Sequence, residues 1–426
     1  MAMTLAEKLC ARACGQDKAR PGEIVTAKVD LAMVHDSSGP RRVGPMLERL
    51  GAKVWDPSKL VVITDHYVPA IDAESAAILD LTRRWVADEG VENFHDMQGI
   101  CHIVLPERGH LRPGMFIAGG DSHSTTGGAF GAFMMGIGAT EMAGVLATGE
   151  IWVKVPPTIR IEWHGGLGLG ACAKDMMLKL CGSLGMAVGN YKAIEFTGST
   201  IAGMSMQERM VLSNMAAELG AKVGLIAPDE TTLAYLREAG ARLDDDAAAW
   251  QSDDDAEFEA THRFDAGALA PQVAAPHSPE NAGDVGDIDD VAIDQAYIGA
   301  CTGAKLSDLH MAAEILRGRS VARGTRLLVA PASVRVTAGA AADGTLAALT
   351  EAGAILMPSG CGACAGLGAG LLADGEVCIS ATARNFKGRM GHPGSLVYLA
   401  SPYTVAASAV TGRITDPRAM LVEKAA

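Results

Sequence analysis

Three short apolar runs in this chain stop at residues that carry chemistry. Leu60-Val61-Val62-Ile63-Thr64 runs into Asp65-His66, and Met115-Phe116-Ile117-Ala118 runs into Gly119-Gly120-Asp121-Ser122-His123. A third, Val291 to Gly299, runs into Ala300-Cys301. Short apolar runs separated by helical patterns read as buried strands of a parallel sheet. In open α/β sheets, ligands gather beyond the carboxyl ends of such strands. The pattern predicts an α/β fold whose site is assembled from several strand ends. With 50 glycines and only 4% aromatics, the composition agrees with many tight strand-to-helix turns rather than a β-sandwich.

A chain of 426 residues has room for more than one sheet. Pro156-Pro157 punctuates a first boundary, and the Pro-, Gly- and Asp-rich stretch 276–290 reads as a connector. We expect α/β segments at 1–156, 157–283 and 284–426. Helices are expected at 73–89, 173–184 and 206–219, with a strand at 158–163. Two acidic triplets, Asp244-Asp245-Asp246 and Asp253-Asp254-Asp255, read as a solvated helix surface. The longest uncharged run, Gly127 to Thr140, is too short to span a bilayer and reads as a buried helix after a glycine turn. Met1 to Lys8 has no basic segment followed by an apolar one, so a cytoplasmic protein without a membrane association is expected.

A net charge of −14 repels polyanions and argues against nucleic acid as a partner. Nine cysteines without a leader segment argue for thiols or metal ligands rather than disulfides. Cys10, Cys14, Cys101, Cys172, Cys181 and Cys378 sit among apolar neighbours and read as small buried residues. Cys361-Gly362-Ala363-Cys364 is different. A lone CxxC suits redox pairs, zinc or iron–sulfur groups alike, but no second pair is present to complete a zinc ribbon. Cys301 supplies a third thiol at another strand end. Three thiolates would leave one iron of a 4Fe–4S cube without a protein ligand, free to act as a Lewis acid toward a hydroxyl and a carboxylate.

Taken with its other motifs, the chain resembles the aconitase superfamily, and within it the large subunits of 3-isopropylmalate dehydratase and homoaconitase. The motifs run in order from Thr4-Leu5-Ala6-Glu7-Lys8 and Met33-Val34-His35-Asp36 through Thr64-Asp65-His66, Gly99-Ile100-Cys101-His102 and Gly120-Asp121-Ser122-His123. They continue with Ser213-Asn214-Met215-Ala216-Ala217-Glu218, Ile298-Gly299-Ala300-Cys301-Thr302, Cys361-Gly362-Ala363-Cys364 and Arg384-Asn385-Phe386-Lys387-Gly388-Arg389. The resemblance implies α/β/α domains around a central cluster cleft, without the family's swivelling domain. It implies Cys301, Cys361 and Cys364 as ligands of a 4Fe–4S cluster with one iron unligated by protein. His66, beside Asp65, is implied as the acid that protonates a departing hydroxyl. His102 with Asp121, and His123 with Glu218, are implied as two further imidazole–carboxylate pairs. His35, Ser122 and Asn214 are implied to contact substrate, and Arg384 and Arg389 to face its carboxylates or the catalytic serine.

These residue types suit the chemistry on their own terms. A carboxylate-paired imidazolium keeps its proton near neutral pH, and guanidinium forks bind carboxylates at two points. The implied activity is a hydro-lyase that isomerises a 2-hydroxy dicarboxylate by dehydration and rehydration. The best substrate guess is 2-isopropylmalate, with homoaconitate, citraconate and dimethylmalate chemistry as rivals. A small subunit carrying the swivel domain, with its proton-abstracting serine, is the expected partner in a heterodimer or heterotetramer. A cluster-free RNA-binding or scaffold protein is the reading from a different class, and the net charge disfavours the first of these. The chain departs from the family at Ala300 and Gly303, where Ser and Asn are usual, at Ala363, where Pro is common, and at Ala383, where Asn is usual.

Overall fold

The computed structural model describes residues 2–425. Its first large sheet is parallel throughout, in the order Asn93–Asp96, Leu60–Thr64, Leu31–His35, Phe116–Gly119, Phe133–Gly136. All five residues of Leu60–Thr64 are buried, as are all five of Leu31–His35. That is why these strands read as continuous apolar runs rather than as an alternation. The chain steps outward from Leu31–His35 to Leu60–Thr64 and Asn93–Asp96, then returns to the other side for Phe116–Gly119. The crevice of such a sheet opens where the order reverses. His35 and Asp36 stand on one side of that point, and Asp121 to His123 on the other.

The same rule operates again in a seven-stranded sheet, ordered Ala282–Asp284, Gln272–Ala274, Leu396–Ala400, Val377–Ser380, Gln295–Ile298, Arg326–Val329, Ile355–Leu356. Its last five strands are mutually parallel. The reversal lies between Gln295–Ile298 and Val377–Ser380, so the turns leaving them, with Cys301 and Arg384, share one crevice. Residues 272–284, grouped on sequence with the middle segment and its connector, here pair as two antiparallel strands on this sheet's edge. A third sheet, parallel in the order Val223–Leu225, Ala193–Thr197, Thr158–His164, Ala260–Asp265, carries the middle of the chain. An antiparallel pair, Ile24–Lys28 with Glu150–Lys154, completes the set.

Three local readings differ from expectation. The run 127–140 is not a helix: it ends a 3-10 segment, Ser122–Phe130, then forms the strand Phe133–Gly136 before a helix begins at Ala139. Pairing of Phe133 to Gly136 with Phe116 to Gly119 outweighs the run's weak helical signal, which the clustered glycines already dilute. The helix from Met206 stops at Met215 and tightens into a 3-10 turn, Ala216–Leu219. The acidic stretch 244–255 carries only a short 3-10 turn, Ala247–Ala249, and its Asp253 pairs with Lys8. Among the described residues, no helix is long and apolar enough to cross a membrane.

The 3-10 segment Ser122–Phe130 is pressed onto the third sheet and the helix Met206–Met215. Thr125 donates to the Asn214 carbonyl at 3.0 Å, and the Gly128 carbonyl accepts from Ile226 N–H at 2.9 Å. A Cβ on Gly128 would fall 1.9 Å from the Gly224 carbonyl oxygen, which is backbone and cannot swing away. Gly128→Ala is therefore expected to cost about 1–3 kcal/mol, the range for forced overpacking. Thermal unfolding followed by circular dichroism checks this, and an unchanged midpoint would contradict the close approach.

Candidate active site

The strands Leu31–His35 and Leu60–Thr64 deliver two imidazoles side by side. His35 and His66 stack with ring centroids 4.0 Å apart and planes 6° from parallel. His66 Nδ1 meets Asp65 Oδ1 at 2.7 Å, and the other Asp65 oxygen accepts from Cys101 N–H at 2.8 Å. Asp36 is fully buried and anchors the turn by accepting from the N–H groups of Asp65, His66 and Tyr67 at 3.3, 3.1 and 2.8 Å. Burial disfavours charge on His66, but Cys361 and Asp65 more than offset it and hold the imidazole well above its ordinary range. Of those two, Asp65 is the anion at neutral pH. Burial alone would raise its carboxyl, but His66 dominates and holds it at about 2. His35 goes the other way: burial, and then His66, push it down to about 4. Its Nδ1 accepts from Ser37 N–H at 3.3 Å, and its Nε2 lies 3.0 Å from Ser38 Oγ. One of the stacked rings is therefore built to carry a proton and the other to stay neutral.

Those shifts have opposite consequences for stability. Between its unfolded value of about 6.5 and its folded value of about 4, His35 binds more protons in the unfolded chain, so stability falls as the pH drops through that window. Asp65 extends the loss downward: its contribution is complete above about 3.9 and disappears as the pH falls toward 2. His66 has the reverse sign, with its contribution complete below about 6.5 and lost as the pH rises through its elevated folded value. His35→Asn is expected to flatten the decline in urea midpoint between pH 6.5 and 4. An acid limb of unchanged slope would contradict this.

Across the crevice, His102 Nε2 meets Asp121 Oδ1 at 2.7 Å, and the same oxygen accepts from His123 N–H at 2.8 Å. Although burial opposes it, the hydrogen bonds from His102 and His123 hold the Asp121 carboxyl well below its ordinary range. His123 Nε2 reaches Glu218 Oε1 at 3.1 Å, and Arg384 Nε donates to that oxygen at 2.7 Å. The Arg384 fork also donates to Ser122 Oγ at 2.8 Å. Ser122, His123, Glu218 and Arg384, drawn from three separate stretches of chain, thus form one chain of polar contacts. His102 Nδ1 and Asn214 Oδ1 are buried without a hydrogen-bond partner.

The thiols meet this constellation from the other sheet. Cys361 N–H donates to the Asp65 carbonyl at 2.7 Å, and a Cβ on Gly360 would fall 2.8 Å from that oxygen. The CxxC turn is thereby tied to the His66 turn. Cys301 Sγ accepts from Asn214 Nδ2 at 3.1 Å, and the Cys364 carbonyl accepts from Arg389 Nε at 2.8 Å. Burial, and then the proximity of Cys361 and Cys364, raise the Cys301 thiol, while Cys361 is pushed up to about 12 chiefly by burial. Burial also raises Cys364, against the pull of Arg389 and Arg384. Cys361 and Cys364 thus both bear on Cys301, and the guanidinium groups of Arg389 and Arg384 bear on Cys364 in the opposite sense.

Two of the departures from the family pattern have a steric reading here. A Cβ on Gly303 would lie 2.5 Å from the Ala381 carbonyl oxygen, so the turn after Cys301 has no space for Asn. Ala300 sits at φ +68°, in the left-handed region, and turns the chain sharply into Cys301. Nothing in the structure explains Ala363 or Ala383 beyond their burial.

All the candidate residues from sequence lie in or against this crevice, but Arg389 is spent on the Cys364 turn, whereas Arg384 reaches the Ser122 and Glu218 side. Sequence reading misses three participants. Asp36 ends the Met33-Val34-His35-Asp36 motif without a role of its own there, although its carboxylate organises the His66 turn. Lys174 and Lys305 are both buried; Lys305 pairs with Asp308 at 2.6 Å and donates to the Cys301 carbonyl at 3.3 Å. Charged residues inside apolar helical stretches, such as Lys174-Asp175 ahead of Met176-Met177-Leu178, are the signal that could have found them.

Residues 7–412 match the model of the aconitase family (aconitate hydratase). A Methanopyrus kandleri protein described as 3-isopropylmalate dehydratase large subunit 1 is 49% identical over 423 residues, covering 99% of this chain and all of that protein. In Methanothermobacter thermautotrophicus, a probable 3-isopropylmalate dehydratase large subunit is 45% identical, covering 98% of this chain and 99% of its own. A probable methanogen homoaconitase large subunit of the same organism is 44% identical, with 98% of each covered.

Proposed function

The chain belongs to the aconitase family, and on that premise we propose that it is the large subunit of a hydro-lyase interconverting 2-isopropylmalate and 3-isopropylmalate by dehydration and rehydration. Membership implies a 4Fe–4S cluster, and the name large subunit, shared by the relatives, implies a small partner subunit and a small substrate. The residues present fit such a cluster: three thiols raised chiefly by burial, Cys301 also by the other two, a side-chain amide on one sulfur, and glycines where backbone crowds the turns. In this reading Cys301, Cys361 and Cys364 are the ligands and the fourth iron has none from protein. The cluster, when bound, supplies a Lewis acid for the substrate's hydroxyl and carboxylate.

The chain's own side chains supply the rest. His66, its Nδ1 held by Asp65, keeps a proton on the opposite nitrogen for the departing hydroxyl. Arg384, already oriented by Glu218, offers its fork to a substrate carboxylate. Asp121 fixes the His102 ring through Nε2 and the His123 backbone through its N–H, while Glu218 holds the His123 ring. His35 and Asn214 are buried beside the thiol and imidazole groups, and Ser122 is exposed at the Arg384 side. Abstraction of the carbon-bound proton falls to the small subunit, on a swivel domain closing over the crevice. The cytoplasmic setting and the absence of nucleic acid from the partners belong to this same reading.

The observation that carries the proposal is the contact between the CxxC turn and the His66 turn, which sets a proton donor beside the metal-binding thiols. Homoaconitate is a second reading, because the homoaconitase relative is about as similar as the dehydratase of the same organism. Large subunit alone is expected to show little or no turnover. With iron, sulfide and the partner added anaerobically, 2-isopropylmalate should give the absorbance of an unsaturated intermediate. Alkene formed only from the saturated hydroxy acid that dehydrates to homoaconitate would select the second reading, and none from that acid or from any 2-hydroxy dicarboxylate would remove both.

A further inference from the structure

We propose that Lys174 is the counter-charge of the cluster pocket: a positioning residue that clamps the turn after Cys301 to the turn before Arg384 and raises the reduction potential of the bound cluster. The inference rests on the iron–sulfur reading above.

Lys174 is only 1% exposed and is the second residue of the helix Ala173–Leu184. Its ammonium donates to the carbonyls of Thr382 and, at 3.3 Å, Ala381, and lies 3.5 Å from Thr302 Oγ1. Thr302 in turn donates to the Ala381 carbonyl at 3.0 Å. One side chain therefore holds together two turns from neighbouring parallel strands, one following Cys301 and one leading to Arg384.

All these acceptors are neutral. Among the described residues no carboxylate lies within ion-pair distance of the Lys174 ammonium. The other buried cations differ: Lys305 has Asp308 at 2.6 Å and Arg209 has Asp229 at 2.7 Å. An unpaired charge in the interior is strongly unfavourable. Its position makes matters worse, because a helix amino terminus is already the positive end of the backbone dipole. The chain carries this arrangement where the nearby acidic groups include Cys301, Cys364 and Glu218. Three thiolates leave an oxidised 4Fe–4S cube with net negative charge, and one-electron reduction adds another. A fixed cation beside it favours the reduced form and retains the ligands in their anionic state.

The test reconstitutes full-length wild type, Lys174→Met, Lys174→Gln and Lys174→Arg with iron and sulfide. Reduction with dithionite is then followed by electron paramagnetic resonance at set potentials, and iron loss is timed in air. Both uncharged variants are expected to reduce at lower potential and to retain iron roughly 10–100-fold less well, while Lys174→Arg stays near wild type. A folded, cluster-bearing Lys174→Met or Lys174→Gln with wild-type potential overturns the proposal. So does failure of both to fold while Lys174→Arg folds, since the lysine would then be a structural prop. If wild type itself takes up no cluster, the iron–sulfur reading falls and the role of Lys174 falls with it.

Discussion

Substituting His66 by glutamine is expected to lower kcat by about 10²–10⁴-fold while leaving bound iron unchanged. The chemistry asks for a group that is protonated at neutral pH yet within reach of the thiols. His66 is held in that state by Asp65 at 2.7 Å, and Asp65 is itself held ionised by His66 and by the Cys101 N–H. Glutamine preserves the size and a hydrogen-bonding end but has no proton to give. Steady-state turnover with the partner subunit, beside iron analysis of the same sample, separates loss of the acid from loss of the cluster. A variant within a few-fold of wild type would assign the proton to another group, and His102 would be the next candidate.

Cys361→Ser is expected to remove the brown cluster absorbance and turnover together, whereas Cys101→Ala should keep both. The comparison is informative because the two cysteines are close in character. Cys101 is buried and Cys361 partly so, and both adjoin Asp65 through backbone N–H bonds, Cys361 to its carbonyl at 2.7 Å and Cys101 to its carboxylate at 2.8 Å. They differ in company: Cys361 bears on Cys301 together with Cys364, while Cys101, although near Cys361, begins the helix that carries His102. A serine at 361 cannot supply a thiolate, which leaves the cube two cysteine ligands in place of three. Retention of a full iron complement in Cys361→Ser would break the assignment.

Much of the site is legible in the amino-acid sequence because strand ends advertise themselves. Leu60–Thr64 followed by Asp65-His66, and the run into Cys301, are short-range patterns, and the sheet topology then brings their carboxyl ends to common crevices. The His123–Glu218 and Arg384–Ser122 contacts join residues 95 and 262 positions apart, so no local pattern reports them; they come through resemblance. Asp36 and Lys174 escape for a different reason. Their roles lie in backbone groups they bind, and a sequence does not display which N–H or carbonyl a buried charge will satisfy. The run 127–140 misleads because its glycines serve close approach to Gly224 and Pro228 rather than a turn before a helix. Cross-strand pairing decides its conformation, a long-range effect that periodicity does not register.

The account depends on iron gripped jointly by thiols from two turns of one sheet, facing the His66 turn of another. The most direct measurement is a crystal structure of the anaerobically reconstituted chain, with diffraction recorded on both sides of the iron absorption edge. The account predicts one anomalous feature of about four irons, bonded to the sulfurs of Cys301, Cys361 and Cys364, with the remaining iron open toward His66. A single tetrahedral metal, or a cluster bound without Cys301, would contradict it.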